Sequence, residues 1–194
     1  MFISTTPEFL RALRIAVAHR FKGHQDIRIT VIDVKRAVDS DHDITNAGSI
    51  ARHLNRDDAT LLKSEWVFLG RIRACAIIHQ LDFNEELYEA LSYYFPTFTL
   101  NSSLANLRSA IPKDFDTFDQ YQFDQNNKAE DDGRRCTLLA IYLGPWTHAE
   151  QRDVYLLLIE QIRSWRQENF TSATDLQDFI SIVNIYAPTV FDCR

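Results

Sequence analysis

Glycine and proline number only five each in this chain of 194 residues, of which 45% are hydrophobic. A sandwich or barrel of short strands needs turn residues at roughly 8–12-residue spacing, and Gly and Pro are the commonest suppliers of that chemistry. The chain is too poor in both, so the hydrophobic residues must be buried by longer elements. The expectation is an all-α protein, a single domain over residues 1–194, with about eight to ten helices in orthogonal or bundle-like packing. At most one short strand is expected, near residues 27–34, where Ile27, Ile29 and Val31 alternate with Arg28 and Thr30.

Helix boundaries are marked by their caps. Thr6, Pro7 and Glu8 open a helix that Gly23 stops, placing it at residues 7–22. A helix over 31–38 follows, then a short one containing Ile50, Ala51 and Leu54. Leu61, Phe68, Ile72 and Cys75 recur at helical spacing and predict a long helix over 59–81. Asn84 caps a helix ended by Pro96, and Asn101 caps one ended by Pro112. Past Gly133 the apolar run at 136–143 is helical. The capping-box pair Thr147 and Glu150 starts a helix to about Gln167, with Val154, Leu157, Leu158, Ile162 and Trp165 inward. A last helix over 173–186 buries Leu176, Phe179, Ile180 and Val183 and ends before Pro188.

Charge is unevenly spread. Residues 1–80 hold 12 basic against 9 acidic side chains and residues 81–194 hold 9 against 18, giving −6 overall. The longest purely apolar runs, residues 154–159 among them, are too short to cross a bilayer, so no membrane association is expected. Cys75, Cys136 and Cys193 cannot all pair within one chain, and the amino terminus lacks the features of a secretory signal. Both point to the cytoplasm.

No glycine-rich phosphate loop or activated nucleophile can be assembled, and the sequence implies no cofactor, no metal and a non-enzymatic role. Asp39, Asp41 and Asp43 alternate like the first ligands of a calcium loop, but Ile44 and Ile50 stand where that loop needs glycine and glutamate. Cys75 and His79, four apart on the predicted long helix, continue its apolar stripe and are read as core.

The feature that most suggests an interaction surface is residues 114–132, with seven acidic side chains against Lys128 alone. This stretch is expected to be an excursion or loop. Within it Asp114, Phe115, Asp116, Phe118, Asp119, Tyr121, Phe123 and Asp124 interleave carboxylates with aromatics, a composition suited to a basic protein partner. The first functional expectation is therefore a regulatory or inhibitory protein that binds another macromolecule.

The second expectation is a nucleic-acid-binding regulator. Residues 44–56 resemble the positioning helix of a helix-turn-helix, with the reader helix following to residue 71. Arg11, Arg14, Lys22, Arg52 and Arg56 would then supply phosphate contacts. A third reading comes from Arg14 with His19, Arg36 with His42, and Arg73 with His79. Their spacing is similar to that of the HEPN nucleases, a resemblance that implies a metal-independent ribonuclease.

Overall fold

The computed structural model describes residues 2–38, 44–57, 62–63, 65–69, 71–100, 103–122, 128–143, 151–166 and 173–191. The protein is mostly helical, but five short strands accompany its eight helices among the described residues. Where one domain is expected from the sequence, the chain divides into two compact units, residues 1–12 with 30–80 and residues 13–29 with 81–194.

The first unit is built on strands. β1 (Phe2–Thr5) and β3 (Ile44–Asn46) both run antiparallel to β4 (Trp66–Leu69), which lies between them. The register pairs Phe68 with Ile3 on one side and Ile44 on the other. Phe68 is buried with Ala37 and Ala76, and Ile32, Ile44 and Ile72 pack around them.

The predicted helix over 59–81 is thus replaced by β4, a 3-10 turn at Ala74–Ala76 and β5 (Ile77–Asp82). Short apolar runs satisfy helical and strand periods alike, and here β-branched and aromatic content decides: Trp66-Val67-Phe68 gains a ladder on both sides. Along β5, His79 and Leu81 are buried while Gln80 and Asp82 are exposed, the two-residue alternation of a half-covered strand.

The expectation of at most one strand fails here. The stretch around residues 27–38 contains both candidates in sequence: β2 (Arg28–Ile32), paired with β5, then α2 (Val34–Val38). Asp33 divides them, its carboxylate accepting from Arg36 N–H at 3.1 Å as an N-cap.

α1 (Phe9–Phe21) begins in the first unit and continues in the second. Thr6 Oγ1 accepts from Glu8 N–H at 3.2 Å at its start. Its end is a Schellman motif, with Gly23 at φ +79°, Gly23 N–H bonded to Arg20 O and His24 N–H bonded to His19 O.

The second unit is helical. α4 (Glu85–Tyr94), α5 (Leu104–Gln122), α7 (Gln151–Ser164) and α8 (Ala173–Phe191) all pack on or beside α6 (Lys128–Tyr142). Asn84 caps α4 as expected, accepting from Leu87 N–H. Pro112 and Pro188 do not end helices: α5 and α8 run through them. In α5 the flanking Ile111 and Phe115, one turn apart, are fully buried, which holds the helix across the missing N–H of Pro112. Gly133 lies inside α6, where a Cβ would stand 3.1 Å from Phe179 O and 3.2 Å from Ile182 Cβ of α8. Leu157, Leu176 and Ile180, expected inward, are about half exposed. Thr147 and Glu150 lie outside the described residues, as does Asn101.

Candidate functional site

In the first unit, polar and aromatic side chains gather at one end of the three-stranded sheet. The ladder places Thr5, Trp66 and Asn46 in one row across β1, β4 and β3. Thr5 Oγ1 donates to Trp66 O at 3.2 Å. Asn46 has three tasks: it ends β3, accepts from Ser49 N–H to cap α3 (Ala47–His53), and donates to Lys63 O at 2.8 Å and Glu65 O at 3.1 Å. The Glu65 carboxylate, largely buried, pairs with the Arg11 guanidinium of α1. Against this fixed backbone Trp66 remains 44% exposed. A large exposed aromatic on a strand bonded on both sides can bind through stacking at little ordering cost.

The second unit holds a buried charge network. Asp132 of α6 pairs with Arg166, which follows α7, both almost fully buried. The guanidinium carbons of Arg135 and Arg166 lie 4.9 and 5.4 Å from the centroid of the Phe115 ring. Thr97 donates twice to Asp114, from its N–H at 3.0 Å and its hydroxyl at 2.8 Å. Burial still raises the Asp114 carboxyl above its ordinary value, against those two bonds and Arg135. Burial and Asp132 push the Cys136 thiol well up, so it is an inert core cysteine. Burial takes the Tyr155 hydroxyl up to about 12.

This network absorbs part of the surface the sequence suggests. Phe115 is fully buried, and the Asp114 carboxylate, part-buried, accepts from Thr97. Residues 114–122 and 128–132, expected as excursion or loop, are helix, in α5 and α6. Asp116, Phe118, Asp119 and Tyr121 stand on the last turns of α5, while Phe123 and Asp124 lie outside the described residues. Two of its seven carboxylates are paired within the chain: Glu130 with Arg134 at 3.5 Å, and Asp132 with Arg166.

α3 ends in a second Schellman motif at Asn55, φ +53°, and Trp66–Leu69, inside the stretch where the sequence predicts a reader helix, is the strand β4. Of the five basic residues, Arg11, Arg52 and Arg56 belong to the first unit and Arg14 and Lys22 to the second. Arg11 is committed to Glu65, and Arg52 bonds Gly48 O and Ser49 Oγ of its own helix. Cys75 and His79 do not share a helix: Cys75 is exposed in the 3-10 turn and His79 is buried on β5, apart from exposed Arg73. His42 is outside the described residues.

Sequence reasoning missed Glu65 and Trp66 by enclosing them in a helix. The usable signal was the Trp-Val-Phe-Leu run stopped by Gly70.

The fold and site together describe a mostly helical protein whose first unit carries a small antiparallel sheet with an aromatic-rimmed end. Residues 1–86, which span β1 to the start of α4, match the model of a family described as Domain of unknown function (DUF7587). No curated protein and no solved structure matches the chain. Among the described residues no helix is long and apolar enough to cross a membrane.

Proposed function

We propose that the chain acts by binding another protein, with Trp66 as an anchor, and that its role is regulatory. The observation that carries this reading is the 44% exposure of Trp66 on a strand bonded on both sides. Trp and Arg are the residue types that most often dominate interface energetics. In this reading α4–α8 form a bundle-like scaffold around α6. The acidic stretch that contains Asp116 and Asp119 offers a second contact for a basic partner. The exposed thiol of Cys75 supports a cytoplasmic setting.

The test is capture from native lysate with and without nuclease, using wild type and Trp66→Ala. A partner retained after nuclease and lost with Trp66→Ala, at unchanged melting temperature, supports the proposal. Capture that survives Trp66→Ala removes the anchor, and capture lost to nuclease transfers the role to nucleic-acid binding.

A further inference from the structure

The end of α1 brings two histidines together through its backbone. In a Schellman motif the residues at C3 and C″ are bonded main chain to main chain, and their side chains commonly touch. Here those positions are His19 and His24, with His24 N–H donating to His19 O at 3.1 Å and Gly23 supplying the left-handed residue between them. An apolar pair is usual at these positions. This chain has two exposed imidazoles instead, their ring centroids 5.0 Å apart and their planes tilted by 58°.

We propose that His19 and His24 form a two-ligand chelate for a divalent transition-metal ion. A metal about 2.0–2.1 Å from an imidazole nitrogen lies about 3.2 Å from the ring centroid. Two such ligands at about 90–110° put their centroids about 4.5–5.2 Å apart, the range in which the observed spacing falls. Being exposed, both rings can turn a nitrogen toward a shared ion, while the cap has already fixed their backbones. The negative end of the α1 dipole favours a cation there. Among the described residues no three His, Cys, Asp or Glu side chains converge, so the site supplies two ligands and leaves the other positions to water. Imidazole donors select late first-row ions, with Cu2+ bound more tightly than Ni2+, and Ni2+ more tightly than Co2+, while Mg2+ and Ca2+ are ignored.

The test is calorimetric titration of the full chain with Cu2+, Ni2+ and Mg2+, on wild type and on His19→Ala, His24→Ala, both together, and His53→Ala as a control on another helix. The expected result is one ion per chain in that affinity order. Each single change at 19 or 24 should weaken binding at least about tenfold, the double change little more, and the control not at all, because a chelate fails as a unit. In parallel, Zn2+ added to the wild-type protein should shift the ring resonances of His19 and His24 together. Single variants that bind as tightly as wild type, or ring signals that do not move, overturn the site whether or not Trp66 anchors a partner.

Discussion

Asp132 and Arg166 show what residue chemistry contributes to the second unit. Removing one member of a buried pair leaves the other charge desolvated and uncompensated, at a cost of about 3–5 kcal/mol, whereas replacing both by apolar residues is often near neutral. Asp132→Asn should therefore lower stability by that amount in denaturant unfolding, and Asp132→Leu with Arg166→Leu by much less. Asp114 gives a pH-dependent counterpart. Its carboxyl titrates above the ordinary value in the folded chain, so in the window just above 3.8 the native state holds more protons than the unfolded one, and stability rises as pH falls through it. Asp114→Asn lacks this contribution, so its stability relative to wild type should be higher at neutral pH than at pH values below that window, as read from paired urea titrations. None of this was legible from composition. The sequence shows seven carboxylates crowded into residues 114–132 and suggests solvent or a foreign basic partner. Arg134 reaches Glu130 along one helix, but Arg135 and Arg166 lie beyond those residues and only the fold brings them to Phe115 and Asp132.

At the scale of elements, caps were legible and context was not. Thr6, Gly23 and Asn84 act locally, and each sits where the sequence places it. Pro112 reads locally as a stop and Gly133 as the end of a loop, yet α5 runs through the one and α6 through the other. At Gly133 a Cβ would stand 3.1 Å from Phe179 O of α8, a close approach that offsets the roughly 1 kcal/mol helix penalty of glycine. Gly133→Ala puts a methyl against a backbone oxygen that has no side-chain freedom to retreat. Despite the better helix former, it should destabilise the protein by about 1–3 kcal/mol, measured as a lower urea midpoint with unchanged slope. An unchanged or higher midpoint would show that α8 moves aside without cost. The strands were lost for a different reason. β4 and β5 are four and six residues long, too short for their alternation to outweigh a coincident 3.6-residue period, and their ladders depend on residues more than sixty positions away in the case of β1.

For the whole molecule, the order in which the chain visits its two units matters more than the number of units. It leaves the first unit after residue 12, returns at residue 30, and leaves again after residue 80. Cutting at residue 86, where the family match ends, therefore does not separate two independent bodies. A fragment of residues 87–194 would lose Leu13, Val17, Leu81 and Phe83, four buried members of the second unit. Each such side chain is worth about 1.5–3 kcal/mol on burial, so the loss is roughly 6–12 kcal/mol against a typical domain stability of about 5–15. The fragment should keep helical circular dichroism but melt without a cooperative transition, and trypsin should cut it faster than the full chain. A variant of residues 13–194 retains those four side chains while losing β1 and the start of α1. Its helical unit should unfold cooperatively near the wild-type temperature even though the sheet around β4 is broken. If the shorter fragment melts as sharply as the longer one, the contribution of α1 to the second unit is too small to matter, and the two units fold independently despite the interleaved chain.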